Sequence, residues 1–314
     1  MTTTTPPLLV MPEPELTGRK LKAQLRTADA KTKLSSPWAS GIAIVIAILW
    51  TVPTVGLLVN SVRSGTGANT GPSTSAWWTL FTNGVHFSFA NYSNAWTGNG
   101  NTSPMSSFLL NTIAITLPAV FIPITLALLA AYAFAWIDFK GKNILFIAVF
   151  AMQIVPIQVA LIPLNTIYVK FGLNTSFWSI WLSHTIFGLP LAIFLLHNFM
   201  KEIPASLVEA ARVDGAGHVK IFLQVLLPLL VPAIASFGIF QFLWVWNDLL
   251  VALTFSSSNT APITKGIQGL TTQFASAADV LPAAAIIAML VPLGVFLSLQ
   301  RFFVRGLLAG SVKG

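Results

Sequence analysis

The sequence predicts an all-α polytopic membrane protein with six transmembrane helices. Three observations carry that prediction. Of 314 residues, 55% are hydrophobic and only 8% charged, with a mean hydropathy of +0.78, whereas a soluble domain carries roughly a quarter charged residues. Six stretches free of Asp, Glu, Lys and Arg are long enough to cross the hydrocarbon, which takes about 20 residues as a helix. The segments joining those stretches alternate between rich and poor in Lys and Arg. This composition excludes an ordinary soluble globule, and it excludes disorder, which needs low hydrophobicity and high charge. The absence of cysteine excludes a disulfide framework, a thiolate metal site and a cysteine nucleophile. The net charge of +8 does not imply nucleic acid, because in a membrane protein the placement of charge matters more than its sum.

Taken in order, residues 1–36 open with a Thr/Pro-rich tract and turn basic, which predicts a tail with at most a short surface helix. A cleaved signal peptide is not expected there: the charged leader is too long, and the apolar run behind it is long enough to span. The spans are expected at 37–62, 107–137, 143–169, 171–200, 221–255 and 280–300. The fifth is charge-free to Asn247 and continues past Asp248 to Phe255. Six spans put both termini on one side. If that side is the cytoplasm, the inner segments 1–36, 138–142, 201–220 and 301–314 hold 14 Lys and Arg, against three outside (Arg63, Lys170 and Lys265). The bias predicts cytoplasmic termini. The outer segments are then 63–106 and 256–279. The first holds seven aromatics, Trp77, Trp78, Phe81, Phe87, Phe89, Tyr92 and Trp96, which suit either the bilayer interface or a partner surface.

Ten of the 19 prolines fall inside these runs, at least one in each. Each removes a backbone donor and bends its helix, which a membrane helix tolerates when neighbours or a water-lined cavity satisfy the freed carbonyl. Bent helices suit a transporter better than a rigid anchor. A proton- or ion-driven carrier usually places acids in mid-membrane. Here the runs hold only His184, His197 and, near the end of the fifth, Asp248, so the energy is expected to enter from elsewhere. The two histidines are 13 apart, not the i, i+4 spacing of a metal pair, and are expected to make ordinary polar contacts near helix ends. The nine acids are dispersed, with no constellation for a membrane enzyme.

The segment 201–220 predicts a compact helix–turn–helix knob. Pro204 suits a first turn, and Ser206 with Glu209 three residues on reads as a capping box. Asp214-Gly215 supplies a stop, with Gly215 free to turn left-handed, and a second helix begins near Ala216. Leu207, Ala210, Ala211 and Val213 give the knob a small, apolar surface that a partner could grip.

Glu209-Ala210-Ala211, three residues, Gly215, nine residues, Val225, one residue and Leu227-Pro228 together resemble the EAA loop of ABC importer permeases, EAA–x3–G–x9–I–x–LP, with Val225 in place of Ile. The stretch from Ile203 to Gly217 (IPASLVEAARVDGAG), Trp246-Asn247-Asp248 and the tail from Gln300 to Gly314 look like the carbohydrate-uptake permeases, most similar to the second permease subunit of the maltose/α-glucoside type. The resemblance implies the type I ABC importer permease fold in a bacterial cytoplasmic membrane. It implies a pore shared with a second permease, two cytoplasmic ATPase subunits holding ATP and Mg, and an extracytoplasmic sugar-binding protein. Ser206, Glu209, Ala210, Ala211, Asp214, Gly215, Ala216 and Gly217 then form the ATPase-coupling surface, and the tail 301–314 is expected to reach the ATPase pair. The chain has no Walker sequence and binds no cofactor of its own. Trp244, Trp246, Asn247 and Asp248 are candidates for the sugar path, since aromatic faces stack on sugar rings and Asn or Asp pairs with hydroxyls; an interfacial aromatic belt with a helix-ending Asn-Asp is the competing reading. The solute is expected to be a di- or oligosaccharide, with an importer of amino acids, peptides or glycerol phosphate as the alternative, and a secondary transporter after it.

Overall fold

The computed structural model describes residues 37–64, 76–81, 86–98, 102–272 and 280–311; the predicted tail 1–36 lies outside them. The chain divides into two compact units, Met1–Gly56 and Leu57–Gly314. The first is the body of helix α1 (Pro37–Ser61), which contains Pro53. Its side chains from 37 to 55 are exposed and almost all apolar, a surface suited to hydrocarbon rather than water. Thr51 ties its hydroxyl to the Ala47 carbonyl at 2.7 Å, which pairs that polar group within the helix.

The second unit begins with the end of α1 and a small extramembrane assembly. Strands β1 (Arg63–Ser64) and β2 (His86–Phe87) pair antiparallel, Arg63 opposite Phe87, and helix α2 (Ala90–Thr97) follows. Ser61 bonds the Tyr92 hydroxyl at 2.8 Å, and Asn91 donates to the Ser61 and Arg63 carbonyls. The buried Arg63 guanidinium donates to the Ala76 carbonyl and the Thr79 hydroxyl. Trp78, Phe87, Phe89 and Trp96 remain exposed, so this segment is a structured element with an aromatic surface.

Four long helices build the bundle: α3 (Met105–Trp136), α6 (Phe177–Glu202), α8 (His218–Asn247) and α11 (Val280–Ser311). Between α3 and α6 the predicted third span is two pieces. Helix α4 (Lys142–Ala151) runs into a 3₁₀ turn at Met152–Ile154, and α5 (Ile157–Lys170) leaves at 103°. Pro156 explains the break: it forces Val155 to extended backbone (φ −71°, ψ 119°), as the residue before proline prefers. The predicted fifth span also divides, α8 ending at Asn247 and α9 (Leu250–Phe255) following the corner. Helix α10 (Ile263–Thr272) occupies much of the predicted loop 256–279. At the other end the predicted tail 301–314 is not separate, because α11 continues unbroken to Ser311.

The core lies where α3, α6 and α8 meet. Ala127, Ala131 and Ala192 are fully buried there, small residues that let helix backbones approach in a membrane. The prolines add specific cross-links. Pro118, Pro123 and Pro292 lie inside α3 and α11, and each lacks the N–H that would serve the carbonyl four residues earlier. Trp181 Nε1 donates to Ala114 O at 3.0 Å, Gln241 Nε2 to Ala119 O at 3.1 Å, and Trp246 Nε1 to Ala288 O at 3.2 Å. All three freed carbonyls are therefore met by a side chain of another helix, as a bilayer requires.

Candidate functional site

Helix α7 (Ala205–Val213) stands between α6 and α8 as the knob. Its N-cap is Pro204, with extended ψ of 130° and no side-chain cap bond. The expected capping box is absent: Ser206 sits in the second helical position, two residues too late to cap, and the side chains of both Ser206 and Glu209 are exposed without a hydrogen bond among the described residues. The expected stop is present. Gly215 takes φ +76°, its N–H reaches Arg212 O at 3.0 Å, and Ala216 N–H reaches Ala211 O at 2.9 Å. A left-handed glycine closing both bonds is a recurrent helix ending.

Only one face of the knob is held. Val208 is buried, with Ala211 and Ala216 packed beside it on the core. Leu207, Ala210, Val213 and Asp214 point outward, Val213 being 88% exposed. A Cβ added at Gly215 or Gly217 meets nothing within 4 Å. The knob therefore leaves a small-residue, partly apolar face uncovered by this chain.

The segment returning to the bundle is unusual. Residues Ile221–Leu226 form a π-helix, and the Leu227 N–H reaches back five residues to Phe222 O. Pro228 lies just beyond, where an α register would press its ring on the Gln224 carbonyl; the wider turn relieves that pressure. At the start of α8, His218 Nδ1 shares a hydrogen bond of 2.6 Å with the Tyr132 hydroxyl of α3.

The four residues expected on the sugar path do not form one site. Trp246 is 2% exposed and serves the Ala288 carbonyl that Pro292 leaves free in α11. Asn247 is exposed but donates to Leu243 O of its own helix at 2.7 Å. Asp248 Oδ2 accepts from Val251 and Ala252 N–H at 3.0 and 3.3 Å and so caps α9. The same oxygen lies 3.7 Å from His184 Nε2. His184 is fully buried, with its Nδ1–H on the Ile180 carbonyl at 3.0 Å, so it is an interior partner of Asp248 rather than a contact near a helix end.

Trp244 alone of the four lines a cavity, of about 400 Å³, between the α4–α5 break, α6 and α8. Phe187, Phe237 and Phe240 share its wall, and its polar lining includes Gln153 and Gln241. Both glutamines are oriented from inside: Gln153 Nε2 donates to Phe187 O at 3.2 Å, and Gln241 to Ala119. Gly188 makes room for Gln241, since a Cβ there would lie 2.8 Å from its Oε1. A second cavity of about 260 Å³ adjoins across Gln153, Ile157 and Phe187. Sequence reasoning missed both glutamines. A glutamine inside a charge-free run, in a chain whose prolines free several carbonyls, was the available signal. Outside the spans, Lys265 donates to Ser256 O and Oγ at 2.8 and 3.0 Å, and burial holds its ammonium pKa below the ordinary lysine value.

Membrane-crossing helices broken by prolines, an exposed helical knob between two of them and a half-open cavity among them define the class as a solute permease. The chain belongs to the family of binding-protein-dependent transport system inner membrane components, whose sequence pattern it matches over residues 123–308. It is the transmembrane permease subunit of an ABC importer, a transport component and not itself an enzyme. It is 46% identical to the osmoprotective compounds uptake permease protein GgtD of Synechocystis sp., over 91% of this chain and 95% of that protein. It is 47% identical to the alpha-glucoside transport system permease protein AglG of Rhizobium meliloti, over 65% of this chain and 56% of that one. Among solved structures, its fold resembles a bacterial ABC transporter that imports alginate, with a TM-score of 0.66 at 20% identity, covering 85% of this chain and 98% of the other.

Proposed function

We propose that this permease imports a neutral di- or oligosaccharide, of α-glucoside or trehalose type, through a pore shared with a second permease subunit. The cavity beside Trp244 carries this reading. An indole face with two fixed glutamine amides suits sugar rings and hydroxyls, and no charged side chain lines the space, so an amino acid or a glycerol phosphate would lack a counter-charge. The relatives named for alpha-glucosides and for trehalose, SugB of Mycobacterium tuberculosis at 37% identity over 67% of this chain, agree in substrate class.

The knob faces the cytoplasm in this reading, supported by the 14 basic residues in the segments on its side. Its exposed face, formed around Glu209, Ala210 and Gly215, docks in a cleft of a cytoplasmic ATPase that holds ATP and Mg, and the outer segments meet an extracytoplasmic sugar-binding protein. ATP can drive the helices between inward- and outward-open states only because the closed ATPase pair prefers one arrangement of the knobs. The test is uptake of labelled trehalose and maltose into liposomes containing the whole transporter. ATP-dependent uptake that Trp244→Ala lowers by about tenfold, the scale of losing one aromatic contact of ~1.4 kcal/mol, supports the reading. Unaltered uptake in that variant, or uptake without the ATPases, overturns it.

A further inference from the structure

We propose that Tyr132 and His218 form a strut that carries the motion of the knob into helix α3. The inference rests on the knob being the ATPase-docking element. His218 opens α8 directly behind the Gly215–Gly217 turn, so it moves with the knob. Tyr132 is 8% exposed within the core cluster of α3. Their side chains meet at 2.6 Å across 86 residues of sequence, and the Tyr132 ring also meets Phe222 of the π-helix edge-on, with centroids 5.5 Å apart.

The π-helix gives this contact its role. A π segment is a local change of register within a helix, which a push arriving along the backbone of α8 has to cross. The strut bypasses it. Force applied at the knob reaches α3 through a side-chain bond made before that segment begins, and α3 packs along α6 and α8 throughout the core.

The experiment uses the complete transporter in liposomes and reads solute taken up per ATP hydrolysed, alongside the amount of ATPase that co-purifies. Tyr132→Phe keeps the ring and removes the hydroxyl. It is expected to leave co-purification unchanged and lower uptake per ATP by about fivefold, the scale of one hydrogen bond. His218→Leu should do the same. His218→Asn, whose Oδ1 replaces Nδ1 as acceptor, should restore the ratio. A normal ratio in both Tyr132→Phe and His218→Leu overturns the strut. Loss of ATPase from Tyr132→Phe also overturns it, by making the contact part of knob shape. If Tyr132→Phe does not insert, the His218 pair decides alone. Failure of docking itself has a separate signature, unchanged co-purification in a correctly inserted Gly215 variant, and leaves the ratio readable.

Discussion

The knob and the corner at Asn247–Asp248 present similar materials: a helix end, an acid, and small or amide side chains beside a turn. At the corner the structure consumes them. Asp248 caps α9, Asn247 bonds its own helix, and Trp246 serves a carbonyl that Pro292 has freed. At the knob it consumes one hydrophobic face and a glycine turn, and leaves the Glu209 and Ala210 side chains exposed and the space beside Gly217 open. A residue whose chemistry is satisfied within the chain is explained by folding, and one whose chemistry is left over asks for a partner. Substitutions should therefore divide by region, with stability lost at the corner and assembly lost at the knob.

The largest expected effect is at Trp246. Trp246→Ala removes a fully buried indole and the donor to Ala288, at a cost of about 3–5 kcal/mol. Thermal unfolding in detergent should show a large drop in midpoint. Trp246→Phe keeps most of the packing and should cost about 1–3 kcal/mol for the unserved carbonyl. A changed solute preference with an unmoved midpoint in Trp246→Phe would return this residue to the sugar path and break the division.

Next in size is Gly188→Ala. The new Cβ would sit 2.8 Å from Gln241 Oε1, an overpacking penalty of about 1–3 kcal/mol. Relief by rotation of Gln241 would take its amide from the Ala119 carbonyl and into the cavity. Lowered thermal stability together with weakened uptake is the expected pair of outcomes. Uptake unchanged in both affinity and rate would show that the cavity is not on the path.

How far the sequence anticipated these features depends on whether the signal was local. The Gly215 stop was legible because a helix terminus is decided by a few adjacent residues, and Asp-Gly behind an apolar face leaves little choice. The spans were legible because the bilayer imposes length and composition on each separately. The 103° break at Pro156 was not, since a membrane proline can either kink a continuous helix or end one, and its neighbours decide. The capping box failed by register: Pro204 fixed the start of α7, which left Ser206 inside the helix. The role of Trp246 could not be read either, because its partner carbonyl lies 42 residues away and is selected by packing. Gln241 belongs to the same class, its carbonyl being 122 residues distant.

The knob supplies the next smaller effects, and they sharpen the comparison because folding should scarcely notice them. Gly215→Ala places a Cβ in a left-handed residue at a local cost of about 1–2 kcal/mol. Nothing lies within 4 Å, so the unfolding midpoint should fall only by the few degrees that this backbone strain costs, while retention of the ATPase falls by about tenfold. Gly217→Ala goes further. Its φ of −75° is open to any residue, and the change costs only the poorer N-cap that alanine makes for α8, up to about 1 kcal/mol. A fall in ATPase retention there can come only from a partner atom occupying the open space, and full retention would remove Gly217 from the docking face.

The smallest effect belongs to Asp248→Asn, and it is the most discriminating. Asn caps a helix nearly as well as Asp, so the bonds to Val251 and Ala252 should persist, and the change is confined to the charge facing His184 at 3.7 Å. If Asp248 is structural, as its bonds indicate, the variant should import with the parental rate and preference and lose at most about 1 kcal/mol of stability. Asp248→Ala should lose about 0.5–2 kcal/mol more, because the first turn of α9 is then uncapped. A reduced import rate in Asp248→Asn at full stability would mean that the carboxylate charge itself is used during transport. The corner would then share the property of the knob, chemistry left over after folding, and the sugar path would have to be drawn through it.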